Sequence, residues 1–432
     1  MSDLHVRYLL VGGGVASSAA AAAIRRRDRE GSVLLIGQEI NRPYQRTPLS
    51  GDYLLRQMTR DALFSMPADW HEASGVALRT GTRVSHLDTA RQAVILGSGE
   101  EVSYDRLLLA TGASPRPLEI PGSRLPGLFY LRTLEDADRL YHAVETAKQT
   151  GRRHERGRGV AAVIGGGVLG VELAATLTQL GIAVDLVIAQ NHPWTRFAGD
   201  NAGRLLAAHL QKHAVNVHAA APAQRLEGDG RVQRIALGNG QILPCDFAVA
   251  AVGVLPNKEL LRGTPIAAGK SILVDEHCRT NVESVYAAGD CAAVFDPLFG
   301  KHCGLAHWDG AAGTGALAGA NMVAAELKDG PPQRYDAVGV FATRVFDLAA
   351  RAWGVARLID RRIVRGTPTG ADAPHLIEFG VASDGRLAHV LAIGHAEEDQ
   401  AVLRQAVANR ARIDGNQEAL KDPAAPLSSL FS

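Results

Sequence analysis

The chain has 432 residues, of which 46% are hydrophobic and 21% charged, and a net charge of +1. This length points to two or three domains, and the balance excludes wholesale disorder and any global attraction to nucleic acid or an anionic membrane surface. Four cysteines (Cys245, Cys278, Cys291 and Cys303) form no CxxC pair and no zinc-ligand spacing, which argues against a disulfide framework and predicts no metal site.

In chain order, Met1 to Arg7 is polar and runs straight into an apolar strand. The alanine-rich stretch Ala19–Ile24 is too short for a signal core and ends in Arg25-Arg26-Arg27, the wrong polarity for secretion. No apolar run reaches the roughly 18 residues of a membrane span, so the chain reads as soluble and cytoplasmic. Tyr8-Leu9-Leu10-Val11 leads into Gly12-Gly13-Gly14, a small-residue helix and the strand Ser32–Ile36. The same order returns later: Val160–Ile164, then Gly165-Gly166-Gly167-Val168-Leu169-Gly170, a helix, and the strand Val184–Ile188. Strand, glycine turn, helix, strand is the βαβ unit of a parallel sheet. Between the copies, Val84–Leu96 predicts strands and turns, and Arg106–Ala110 a buried strand ending at Thr111-Gly112. Pro115, Pro117, Pro121 and Pro126 then stiffen an extended connection, a natural boundary. The charge run Arg152, Arg153, His154, Arg156 and Arg158 reads as a solvated loop, with a docking patch for an acidic partner as the alternative.

After the second copy, Phe247–Val252 predicts a strand ending at Gly253, and Ser284–Ala288 another ending at Gly289-Asp290. A helix is expected over Ala311–Leu327. Beyond Pro331-Pro332, alternating segments such as Ala388–Ile393 suggest a separate α+β domain, and the tail after Asp422-Pro423 reads as loop. In a dinucleotide fold the first glycine makes the tight turn and the second lets pyrophosphate reach the backbone. The third lets helix and strand pack closely. The second copy has all three as Gly165, Gly167 and Gly170; the first has Gly12 and Gly14, with Ser17 at the third place. One such motif is weak, but two in the right context leave an accidental match little room.

At this point the chain resembles the pyridine-nucleotide–flavin oxidoreductases of the glutathione-reductase-like fold, and within them the ferredoxin reductases and apoptosis-inducing factor. The segments that carry the resemblance are Leu9–Gly14, Pro43–Ser50, Leu109–Arg116, the second glycine motif with Val171–Ala174, and Tyr286–Asp290. His307-Trp308-Asp309 with Leu317–Met322 is similar to the apoptosis-inducing-factor branch. The resemblance covers about residues 8 to 325, and Val345–Leu348 weakly resembles the dimerisation domain of NADH oxidases. It implies an α/β chain with two Rossmann-like dinucleotide-binding domains plus a C-terminal α+β domain. The implied bounds are 1–120 with 255–330 for FAD, 121–254 for NAD(P)H, and 331–432 for a C-terminal domain that would suit a homodimer.

The resemblance also implies roles. Gly12, Gly14 and Ser17 would cradle FAD, with Arg46 and Arg116 near its pyrophosphate and Asp290, after Gly289, on the ribityl chain. Thr111 and Gly112 would lie beside the flavin, His307 and Trp308 near its ring system, and Glu172 beside flavin N5. Gly165, Gly167, Gly170 and Gly253 would line the NAD(P)H site. The bland alternatives are a surface ion pair for each arginine, a helix cap for Asp290 and a core position for Trp308.

Three departures from the family stand out. Gln38, followed by Glu39, replaces the acidic residue that usually holds the adenosine ribose of FAD. Ala189-Gln190-Asn191-His192 offers neither a carboxylate for NAD nor an immediate arginine for NADP, although Arg196 is near. Gly51 replaces a lysine usually paired with the glutamate at position 172, so Glu172 should titrate higher or recruit another partner. No cysteine lies between Arg42 and Tyr53, which argues against thiol–disulfide chemistry. Cys291 and Cys303 read as packing residues. The leading expectation is an NAD(P)H oxidoreductase serving a small electron carrier such as a ferredoxin or rubredoxin. The alternatives are a slow redox-sensing flavoprotein like apoptosis-inducing factor and an oxidase or quinone reductase that uses a small-molecule acceptor.

Overall fold

The computed structural model describes residues 4–150, 159–297, 299–304, 307–336, 338–366, 375–395, 397–413 and 417–431. The basic run at 152–158 lies outside them. The chain forms two compact units: one runs to Gln45 and continues through Arg60–Ser114 and Leu255–Gly339, and the other comprises Arg46–Thr59, Pro115–Val254 and Val340 onward. These breaks compare with the expected ones at 120/121, 254/255 and 330/331.

In the first unit the strands Val76–Arg79, Val33–Ile36, Leu4–Val11 and Glu101–Leu109 lie side by side in that order and pair in parallel. Val285–Ala287 adds a fifth parallel strand beside Leu107–Leu109. The other half of the long strand Glu101–Leu109 pairs antiparallel with Ala93–Leu96, which pairs with Val84–Asp88. Val33–Ile36 is wholly buried, as an apolar run covered on both faces should be.

The second unit repeats this order. Val215–His218, Ala183–Val187, Val160–Ile164, Phe247–Ala250 and Leu128–Phe129 form an all-parallel sheet. A three-stranded antiparallel insert, Ala223–Glu227, Arg234–Leu237 and Ile242–Pro244, again precedes the fourth strand. The duplication read from the glycine motifs thus extends to strand order. The copies differ in the fifth strand, which comes late in the chain in the first unit and early in the second.

The second unit also carries a five-stranded antiparallel sheet in the order Val340–Val345, Leu348–Gly354, Leu387–Ile393, Leu376–Val381, Arg361–Gly366. The helix Glu397–Ala408 packs on it. Here the expected alternation fails: every residue of Leu376–Val381 and Leu387–Ile393 is buried. The reason is that this sheet has no solvent face at its centre. Buried Glu378 accepts from the amides of Gly199 at 2.6 Å and Ala202 at 3.2 Å, placing a carboxylate at the start of the helix Asp200–Lys212.

The expected helix Ala311–Leu327 begins three residues earlier, at Trp308, because His307 Nδ1 accepts from Gly310 N at 3.0 Å and caps it. In the first unit this helix lies against the glycine helix Val15–Arg27, and two glycines permit the approach. A Cβ on Gly315 would stand 2.2 Å from the carbonyl oxygen of Ala16, and one on Gly319 2.5 Å from that of Ala20. Gly315→Ala should therefore destabilise the protein by about 1–3 kcal/mol, the usual cost of overpacking, as urea denaturation would measure. Unchanged stability would mean that the two helices are not held at this separation.

Candidate nucleotide-binding and redox site

The two glycine turns match in geometry as well as in sequence. Gly12 has φ 129° and Gly165 φ 124°, conformations that glycine adopts without strain. A Cβ on Gly12 would meet the carbonyl oxygen of Ala110 at 2.0 Å, and one on Gly165 that of Ala251 at 2.3 Å. In both copies the turn is pressed against the end of the fourth strand. The second glycines behave oppositely: a Cβ on Gly14 or Gly167 would meet nothing within 4 Å. Each of these two glycines opens a helix with no side-chain cap. Both copies therefore offer uncapped backbone amides and an open approach to them, the donor set and the space that a pyrophosphate requires.

At the third place the copies diverge. Gly170 must be glycine, since a Cβ would lie 1.9 Å from the oxygen of Gly165. Ser17 is fully buried, and its hydroxyl finds no partner among the described residues.

Around the first turn, Gln38 is exposed and Glu39 half-buried beyond the strand Val33–Ile36, with Glu39 accepting from Tyr44 Oη at 2.6 Å. Thr111 Oγ1 donates to the carbonyl of Asn257 at 2.6 Å, and Asn257 Nδ2 donates back to the carbonyl of Thr111 at 2.9 Å. Gly112 sits at φ 69°, a left-handed conformation that favours glycine. Gly289 has φ 74° and its amide donates to Thr314 Oγ1 at 3.0 Å; half-buried Asp290 follows in the same turn. His307 acts as the helix cap, and its burial holds the ring below its ordinary pKa. Trp308 is 38% exposed at the first position of that helix and fills no core.

Arg46 and Arg116, expected beside the same cofactor, belong to the second compact unit. Arg46 Nη1 donates to the carbonyl of Arg132 at 2.8 Å. Arg116 is exposed, and its amide donates to the carbonyl of Gly253 at 2.8 Å, so its backbone is tied to the glycine expected at the nicotinamide site. Gly253, at φ 108°, lies beside Arg196: a Cβ there would be 3.5 Å from the guanidinium. His192 is not available as a ribose ligand. It is buried, with Nε2 3.0 Å from Asp200 and Nδ1 2.9 Å from the carbonyl of Pro193. Trp194 anchors this loop through its amide, which donates to the carbonyl of Gly166 at 2.7 Å.

Glu172 illustrates what replaces a missing lysine. Ser50 Oγ donates to Oε2 at 2.7 Å and Thr343 Oγ1 to Oε1 at 2.6 Å. Thr176 Oγ1 also donates to the carbonyl of Ser50 at 2.7 Å, fixing the Thr47–Ser50 turn against the glycine helix Val168–Gln179. Burial raises the Glu172 pKa, and the two hydroxyl donors oppose that rise only in part. Both expected consequences of the lysine's loss are present, a higher pKa and recruited partners. Ser50 stood within the recognised Pro43–Ser50 run, but its role was not legible. Thr343 lies 171 residues from Glu172 in a strand without a motif, so sequence gave no signal for it.

All four cysteines are free and buried. Burial pushes the Cys245 thiol up to about 12 and raises Cys278 and Cys291 as well, which denies them thiolate character.

Because a raised carboxyl pKa in the folded state adds stability below the unfolded pKa, that stability is lost as pH rises through the folded value. The melting temperature of Glu172→Gln should therefore gain on the unmodified protein as pH is raised from about 4.5, the carboxyl's ordinary value. A constant difference across that range would show that Glu172 is not held protonated by its surroundings.

Comparison with known proteins places these features in context. The family model described as pyridine nucleotide-disulphide oxidoreductase matches residues 6–315. The 5,5'-dehydrodivanillate O-demethylase ferredoxin reductase subunit of a Sphingobium species is 31% identical over 431 residues, covering 99% of this chain and 98% of that protein. A solved ferredoxin reductase from Rhodopseudomonas palustris superposes with a TM-score of 0.87 at 25% identity, over 99% of this chain and all of that one. The covalent putidaredoxin reductase–putidaredoxin complex gives 0.87 at 26% identity, over 99% of this chain and 98% of that chain.

Proposed function

Because the chain belongs to the pyridine nucleotide-disulphide oxidoreductase family, we propose that it is an FAD-dependent NAD(P)H oxidoreductase that delivers electrons to a ferredoxin- or rubredoxin-type carrier protein. The observation that carries this reading is the duplicated cradle, in which Gly12 and Gly165 are wedged against a strand end while Gly14 and Gly167 face open space. Curated relatives named as ferredoxin reductases match essentially end to end, and a structural neighbour was solved bound to its electron-carrier protein.

On this reading residues 1–120 and 255–330 hold FAD, 121–254 hold NAD(P)H, and 331–432 form the C-terminal domain. FAD bound in the first cradle would supply the chemistry that couples a two-electron nicotinamide donor to a one-electron carrier. The chain's own work is positioning. Gly14 and Gly167 would admit the two pyrophosphates to helix N-termini, and Glu39, held by Tyr44, would hold the FAD ribose. Arg196 would supply guanidinium charge for phosphate at the rim of the second cradle beside Gly253. Thr111, Gly112, Gly289 and Asp290 would form the flavin's protein wall, with His307 and Trp308 at the start of the helix Trp308–Leu327. Glu172 needs no proton-transfer role; Ser50 and Thr343 engage both of its carboxyl oxygens without a lysine.

With every cysteine buried, the protein has no thiol to carry electrons onward, which separates it from disulfide-reducing members of its own family. Unpaired cysteines also suit a reducing, cytoplasmic setting. Among the described residues no helix is long and apolar enough to cross a membrane.

Two measurements test the reading. An anaerobic titration of the flavin-loaded protein with NADH and then NADPH should bleach the flavin rapidly with at least one of them and fix the nucleotide preference. Slow bleaching with a stable long-wavelength band would favour the redox-sensing alternative. Second, a Cβ at either open glycine meets nothing within 4 Å, so valine there should spare the fold but block a ligand. Gly14→Val should purify without flavin. Gly167→Val should keep its flavin and lose about tenfold or more in kcat/KM for the nicotinamide nucleotide. Loss of the same function in both variants would refute the assignment of one cradle to each cofactor.

A further inference from the structure

The sequence predicts no metal site, yet among the described residues of the second unit His209, His213 and Asp347 bring three ligating atoms within 4.8 Å of one another. His209 and His213 lie four residues apart, so both rings leave the same face at the end of the helix Asp200–Lys212. Asp347 comes from the two-residue turn between Val340–Val345 and Leu348–Gly354, in which Val345 pairs with Leu348.

The distances suit a small transition-metal ion. Asp347 Oδ1 lies 3.2 Å from His209 Nε2 and 3.6 Å from His213 Nε2. Metal–ligand bonds of about 2.0–2.1 Å in a tetrahedron separate neighbouring ligand atoms by roughly 3.3–3.4 Å. The carbonyl oxygen of Val345 accepts from His209 Nε2 at 3.0 Å, so a metal would take the place of that proton while the ring shifts its remaining proton to Nδ1. The outer contacts also fit. His213 Nδ1 lies 3.0 Å from the carbonyl of His209, and only a protonated Nδ1 can donate there, which leaves Nε2 with its lone pair toward the cluster.

The turn itself supplies an independent observation. Phe346 is held at φ 57°, a conformation costly for a bulky residue, and its ring stacks on His213 at 4.1 Å with the planes 9° apart. An apolar side chain at this strained position holds a ligand ring in place and puts the adjacent carboxylate over both imidazoles. A positive φ at its first position is what such a two-residue hairpin loop requires, so the turn itself fixes where Asp347 lies.

We propose that His209, His213 and Asp347 form a binding site for one divalent transition-metal ion, zinc being the best match, which clamps the helix Asp200–Lys212 to the C-terminal sheet. Two imidazoles and one carboxylate are borderline ligands that zinc accepts readily, and calcium or magnesium would require more oxygens. The site adds a structural element to the electron-transfer reading and does not depend on it.

The test uses the flavin-loaded full chain, stripped with a chelator and titrated with zinc chloride by calorimetry, with melting temperature followed in parallel. One zinc per chain and a rise in melting temperature are expected. The side chain of Asp347 is 81% exposed and that of His213 30% exposed, so Asp347→Ala and His213→Gln should fold and retain flavin. Each should weaken zinc binding by about tenfold or more, and the double variant should lose the thermal shift. Absence of saturable binding, or equal affinity in the double variant, would overturn the proposal and leave the reductase reading untouched.

Discussion

A carbonyl oxygen at each strand end fixes how closely a backbone turn can approach, and the whole architecture depends on two such contacts. Gly12 against Ala110 and Gly165 against Ala251 leave no room for a single methyl group. That proximity sets the angle at which each following helix departs, and so where its uncapped amides point. The third glycine is nonetheless obligatory only in the second copy. There the helix turns back over the oxygen of Gly165, whereas in the first the same place accommodates Ser17. Gly315 and Gly319 extend the principle to the neighbouring helix, which can sit over the first glycine helix only because it too lacks side chains at the contact.

The replacement of a lysine by Gly51 shows how a local chemical change is absorbed. Removing a cation from beside a buried carboxylate would leave it uncompensated. Here a serine from the neighbouring turn and a threonine from the C-terminal sheet supply neutral donors instead. The outcome is a carboxyl whose pKa is raised yet whose two oxygens are both engaged.

The C-terminal sheet is consequently more than an appendage to the second unit. Glu378 reaches the start of the helix Asp200–Lys212, and Asp347 meets the histidines at its end. The helix is held at its positive end by a carboxylate and at its other end by the turn that carries Phe346. Thr343 lies on the strand leading into that turn, so the group that partners Glu172 and the group that meets the histidines share one rigid element.

Sequence by itself determined the repeated strand–glycine–helix units, the parallel sheets, the absence of redox cysteines at the recognised positions and the vulnerability of Glu172. These follow from local rules: apolar runs, residues without side chains at tight turns, and an ionisable group that has lost its usual neighbour. Tertiary structure decided which atoms answered those local demands. Thr343, Glu378 and the His209–His213–Asp347 group were invisible because their partners lie 171, 179 and at least 134 positions away in sequence, the last from 347 − 213. The helix start at Trp308 rather than Ala311 depended on a histidine acting as a cap, and the buried strand Leu387–Ile393 on what covers its second face. Burial on two faces and long-range pairing are properties of the packed chain, and no local pattern encodes them.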